Sequence, residues 1–148
     1  METQLVNRND VDYLRIAFKN VSGGGSITTG YGIALVTSNA SFDGLASVTS
    51  TAATIRDFHG IAVKDTPINQ FGKATIYGYA ASIVISNVGT SITVTGGDTL
   101  KPGAVAGTFF SSITDAAMTT LLNVRVVAGQ TVTISALGWT SGFVRGTM

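Results

Sequence analysis

The sequence predicts an all-β protein, a jelly-roll-like β-sandwich or barrel with at most one short helix. Three observations carry this. Short runs of alternating or continuous apolar character, rich in Val, Ile, Thr, Tyr and Phe, recur along the chain. Turn chemistry in Gly, Asn and Ser separates them at close intervals, with 18 glycines against 2 prolines. Helical periodicity is scarce. A length of 148 residues suits a single β domain spanning 1–148, with 1–12 as an extended N-terminal arm, and is enough to bury one core without metals or disulfides.

In chain order, Tyr13 to Lys19 reads as a strand with Leu14, Ile16 and Phe18 on one face. Ser22 to Gly30 is a glycine-rich loop or turn, followed by a second strand candidate at Gly30 to Thr37 and a turn at Ser38 to Gly44. Ala53 to Val63 is a third strand candidate, with Gly60 as a point where it could break. The loop Lys64 to Gly72 precedes Lys73 to Ser86, the longest apolar run and the expected central strand, in which Gly78 marks a bulge or bend. Ser91 to Thr95 and Ala104 to Phe109 are expected to flank a Gly96-Gly97-Asp98 corner as strands. Ser112 to Asn123 is the single helix candidate, because Ser112 and Asp115 form a capping pattern and Ala117, Leu121 and Leu122 share a side. Leu122 to Ala128 and Gln130 to Trp139 read as a hairpin turned at Gly129. GTSITVT (Gly89 to Thr95) and GQTVTIS (Gly129 to Ser135) resemble each other as one local solution used twice.

Only 11% of the residues are charged, against roughly 25% in an ordinary soluble domain, so Ser, Thr, Gly and apolar atoms must cover much of the surface. Low charge weakens the repulsion that keeps proteins apart, which points to burial against other chains. A net charge of +1 gives no electrostatic footprint for a nucleic acid. The absence of cysteine excludes disulfides, thiolate metal sites and cysteine nucleophiles. The polar start METQLVNRNDVD is unlike a signal peptide, and no apolar run reaches the length of a membrane span, so no membrane partner is expected.

Tests for chemistry return little. A phosphate loop ending in Gly72-Lys73 would need glycine at Pro67 and a hydroxyl at Ala74. A dinucleotide fingerprint starting at Gly30-Tyr31-Gly32 meets Leu35 where its third glycine belongs. Asp57 and His59 are close enough to orient an imidazole, yet no nucleophile motif accompanies them. No catalytic, cofactor-binding or metal-ligating set is assigned. Tyr77, Tyr79, Trp139 and Phe143 could stack sugars or bases, but core or interface packing is the expected use of the two tyrosines.

His59 to Ser86 together with Ile92 to Phe109 carries a resemblance. Gly60-Ile61-Ala62, then Gly72 to Ala80, then Gly97-Asp98-Thr99-Leu100-Lys101-Pro102 follow in kind and order a pattern seen in the head decoration, or cement, proteins of tailed bacteriophages. The sequence resembles that family over about its central third. The resemblance implies a jelly-roll or related β-fold, a homo-oligomer that is often a trimer, no enzymatic activity and no cofactor. It implies a place on the outer capsid surface of the virion, after synthesis in the host cytoplasm, with the major capsid protein as partner. Anchors to other chains are expected at Leu5, Val6, Tyr13, Trp139 and Phe143. Two other readings are a carbohydrate-binding β-sandwich of a phage tail fibre or receptor-binding protein, using Trp139 and the tyrosines, and a hydrolase centred on Asp57 and His59.

Overall fold

The computed structural model describes residues 14–23, 25–36, 46–51, 57–86, 92–103, 105–111 and 124–146. The arm at 1–12 and the helix candidate at 112–123 lie outside the described residues. Within them are eleven strands: β1 Leu14–Asn20, β2 Gly32–Leu35, β3 Ala46–Thr49, β4 Phe58–Ala62, β5 Phe71–Ser86, β6 Ile92–Val94, β7 Thr99–Pro102, β8 Phe109–Ser111, β9 Val124–Ala128, β10 Val132–Ile134 and β11 Leu137–Gly146. No α-helix occurs among the described residues. The all-β expectation is met, in the form of a five-strand mixed barrel with extra strands.

The barrel closes in the order β1-β3-β2-β4-β5 and back to β1, with β1 and β3 parallel and the other pairs antiparallel. The extra strands β11, β9, β7 and β8 follow one another from β5 and return to it through one parallel pair, Ile85 with Phe109. β5 is therefore the shared element. Its 16 residues pair with β1 and β4 over the first half and with β11 over Gly78 to Ser86. Gly78 lies at the changeover with φ of +100°, a conformation that residues with a Cβ rarely adopt.

Two buried clusters correspond to the two parts of the sheet. Phe18, Ile27, Ile33, Ala62 and Ala74 fill the barrel. A larger cluster runs from Phe58 and Ile61 through Ile83, Ile85, Leu100 and Phe109 to Val126 and Val144. Phe58 and Phe109 meet edge to face at 5.6 Å and 87°, the geometry that aromatic quadrupoles favour. Buried polar groups are placed with partners: Asn20 donates to the carbonyls of Gly25 and Thr66 and accepts from the Ser22 amide. Ser86 and Thr108 join their hydroxyls where β5 meets β8.

Four local expectations change. Gly60 does not break its strand; it pairs with Ile33 beside a bulge that absorbs one residue of β4. In the run expected as a strand at Ala104 to Phe109, the described residues Val105 to Thr108 are a turn, with Gly107 at φ of +80° and the Thr108 amide donating to the Val105 carbonyl, and Phe109 alone of the described residues belongs to a strand. The strand beyond the Gly96-Gly97-Asp98 corner is instead Thr99–Pro102, which pairs with both β8 and β9. The corner itself is a β-turn over Thr95–Asp98: the Asp98 amide donates to the Thr95 carbonyl at 3.0 Å with Gly97 at φ of +96°, and the Thr95 amide donates back to Asp98 Oδ2 at 2.7 Å.

The fourth change concerns Gly129. No hairpin forms there, because β9 lies between β7 and β11, where Val126 and Ala128 are buried. β10 pairs with β6. The two look-alike sequences thus zip together, burying Val94 and Ile134 on one side and joining the Thr93 and Thr133 hydroxyls at 2.9 Å on the other. Alternation identifies each strand but not its partner.

Gly32 packs under the junction of the two clusters, where a Cβ would lie 2.7 Å from Phe109 Cζ and against Ser50 Oγ. Gly32→Ala should cost about 1–3 kcal/mol through forced overpacking. Phe109→Ala, which empties a fully buried site, should cost about 3–5 kcal/mol. Urea denaturation measures both, and a loss below half a kcal/mol for Phe109→Ala would contradict this packing.

Candidate functional site

β11 alternates strictly. Gly138, Thr140, Gly142 and Val144 are buried, whereas Leu137, Trp139 and Phe143 are exposed. Trp139 is 59% exposed and Phe143 44%, so both anchors chosen from the sequence within the described residues stand outward. Leu5, Val6 and Tyr13 lie outside the described residues.

Neighbouring strands extend the outward face. Phe143 is in register with Tyr79 of β5, and their rings meet at 5.7 Å and 64°. Tyr77, two residues earlier, is in register with Leu14 of β1. These three are also exposed: Tyr79 by 41%, Tyr77 by 50% and Leu14 by 57%. A band of large apolar side chains therefore crosses β1, β5 and β11. Alternation alone places Leu14 on one face with Ile16 and Phe18; a register shift between Leu14 and Arg15 moves it out of that alternation. Gly78, between the two tyrosines, is where β5 changes partners, so Leu14 of β1 and Val144 of β11 pair with adjacent rungs of β5, Tyr77 and Gly78.

Beside the band lies a groove of about 220 Å³. Ile61, Ala62, Ala80 and Ala81 give it apolar walls, Thr29 and Ser82 contribute hydroxyls, and Arg15 and Tyr79 also line it. Sequence reasoning missed this groove. Its only linear trace is the small-residue run Ala80-Ala81-Ser82. The Thr29 end is held by Asp65, whose Oδ1 accepts from the Thr29 amide at 2.7 Å and its hydroxyl at 2.8 Å. The amide bond, then the hydroxyl bond, hold this carboxyl below its ordinary range.

The residues tested for chemistry have other positions. Gly72-Lys73 lies inside β5, with Gly72 opposite Phe18, where a Cβ would press on the Phe18 ring. Asp57 precedes β4 and His59 sits in its bulge; no hydrogen bond joins them among the described residues. Among the described residues no three His, Asp or Glu side chains gather as a metal site would require. A scan against protein-family models finds no match to the chain, and a search of the curated proteins finds no relative.

Half-buried His59 is held below its ordinary value of 6.5 by desolvation alone. The folded state therefore binds this proton less well than the unfolded chain. Stability should be full above pH 6.5 and decline as pH falls from 6.5 through the lowered folded value. His59→Gln should flatten that part of the stability–pH curve, measured by thermal melts; an unchanged slope would assign the dependence to another group.

Proposed function

We propose that the protein is a non-enzymatic structural protein of a tailed-phage virion, seated on the outside of an icosahedral head and bridging neighbouring major capsid subunits. The observation that carries this reading is the uncharged, aromatic-rich band across β1, β5 and β11 on a protein with very few charges. Contiguous exposed apolar surface of this kind marks a protein contact. The resemblance of His59 to Ser86 and of Ile92 to Phe109 to head decoration proteins supplies the class of partner. A homo-oligomer, trimeric in the common case, and the jelly-roll arrangement of that family belong to the same proposal.

Energetics suit a lattice. Burying half of one aromatic side chain contributes about 2 kcal/mol at ~25 cal/mol per Å². A handful of such residues yields roughly 10 kcal/mol, comparable with the ~4–15 kcal/mol cost of association. One contact is then marginal, and an oligomer engaging several capsid subunits at once binds firmly. Such bridging would stiffen the shell against internal DNA pressure without any chemistry at a site.

Incubation with undecorated heads should give saturable co-sedimentation at a fixed number of copies per head, and the decorated heads should release DNA at a higher temperature. The double substitution Trp139→Ser, Phe143→Ser should weaken decoration by about tenfold or more. Absence of co-sedimentation would remove the reading.

A second reading is favoured by the exposure of Trp139, Tyr77 and Tyr79, which could serve as a sugar-stacking platform in a tail-fibre or receptor-binding module. A glycan screen separates the two: sugar affinity that disappears in Trp139→Ala would favour carbohydrate binding.

A further inference from the structure

A chain that bridges two capsid subunits needs a second contact surface away from the band, and the other end of β5 offers one. Phe71, which opens that strand, is the most exposed large apolar side chain among the described residues at 61%, and Ile68 in the preceding loop is exposed as well. Between Phe71 and Tyr79 an extended strand covers roughly 25 Å, so the two surfaces are separate. The loop is built to hold its shape. The Gln70 amide donates to the Pro67 carbonyl at 3.1 Å, and Asn69 sits at φ of +62°, where a residue with a Cβ is uncommon. Buried Asn20 ties this turn to β1: its carbonyl accepts from the Asn69 amide, its amide donates to the Gln70 carbonyl, and its side chain donates to the Thr66 carbonyl. An apolar tip fixed in this way loses little freedom on binding.

Charge gives the tip a sign. Lys19 is in register with Phe71, and Lys73 stands two residues further along the same outward face, opposite Ala17. Lys64 follows Val63, whose amide donates to the Lys73 carbonyl. Three of the chain's 9 basic residues thus gather at this end of β5. Among the described residues no ion pair engages them. Asp65, the acid beside Lys64, has its Oδ1 occupied by the Thr29 amide and hydroxyl. We propose that the Pro67–Phe71 tip and these lysines dock on a second capsid subunit, at a surface where carboxylates border an apolar pocket, while the band holds the first. An acidic protein surface suits the tip better than nucleic acid or lipid. So few cations neutralise too few phosphates for a nucleic acid, and two apolar side chains bury too little area to hold a membrane. This second contact rests on the capsid reading and gives it a partner chemistry.

Decoration of undecorated heads by the full chain tests it, with occupancy measured by co-sedimentation and shell strength by the temperature of DNA release. Wild-type affinity should fall severalfold as salt is raised, because charge pairs at an exposed rim are screened. Lys73→Glu, and the double substitution Ile68→Ser, Phe71→Ser, fall at exposed positions, so circular dichroism should show the fold retained. Each should weaken decoration by about tenfold, and Lys73→Arg should restore it. At concentrations that saturate the heads, these variants should still bind through the band but no longer raise the release temperature. Val105→Ser, an exposed apolar residue in the turn before β8, should change neither readout. Wild-type affinity that ignores salt, or tip variants that decorate and stabilise as the wild type does, overturn the second contact and leave the capsid reading standing. Binding to phosphatidylserine vesicles that the tip variants lose would assign the tip to lipid and overturn it as well. Heads that take up no wild-type protein remove the capsid reading and this contact together.

Discussion

The structure depends on one strand serving two closed systems of hydrogen bonds. β5 must satisfy β1 and β4 along its first half and β11 along its second, and its backbone changes direction at Gly78 to do so. Every other strand of the large sheet takes its place from that arrangement. Closure leaves few open strand edges, which matters for a protein with too few charges to guard them. The outward band arises at the same joint. Tyr77 and Tyr79 flank the bend, and their cross-strand neighbours Leu14 and Phe143 come from the two strands that meet there.

Packing around that strand relies on close approach as much as on bulk. Gly32 and Gly72 sit where aromatic rings of Phe109 and Phe18 leave no room for a methyl group. Small residues therefore let large ones interdigitate between sheets that share a strand. The polar groups drawn inside are handled locally, as by Asn20, which ties three loop backbone groups together. Among the described residues Ser50 Oγ is the exception, buried without a partner beside the Gly32 contact. Its amide and carbonyl nonetheless bond to Gly32 and Gly107, so the backbone there is fully engaged.

Function and stability draw on the same economy of charge. On the function proposed above, a surface of hydroxyls, glycines and apolar atoms offers few counter-charges, so specificity would come from shape and from where aromatic side chains project. Phe143 is held rigidly, because β11 is paired on both flanks there, with Tyr79 of β5 and Val127 of β9. Anchors that lose little freedom on binding contribute more of their buried area to affinity.

Much of this was legible along the chain. The all-β class, the long central run bending at Gly78 and the turn at Asp98 follow from alternation and from residues that permit positive φ, which are local properties. Trp139 and Phe143 are legible as anchors, although no strand is read past Trp139; β11 places both outward. Partnership was not legible: the strand at Val132–Ile134 joins its look-alike at Ile92–Val94 rather than its sequence neighbour, because burial of Val94 and Ile134 is decided by what lies across from them. Leu14 reached the surface through a register shift, and the groove exists only where β1, β4 and β5 converge with the Thr29 loop. The sequence by itself determined the all-β class and most of the segments that extend, since those preferences act over a few residues; it did not single out Ala46–Thr49, Thr99–Pro102 or the strand running past Trp139. Which strands pair, and therefore which side chains remain outside, was decided by the tertiary structure, since burial is a property of contacts between segments far apart in the chain.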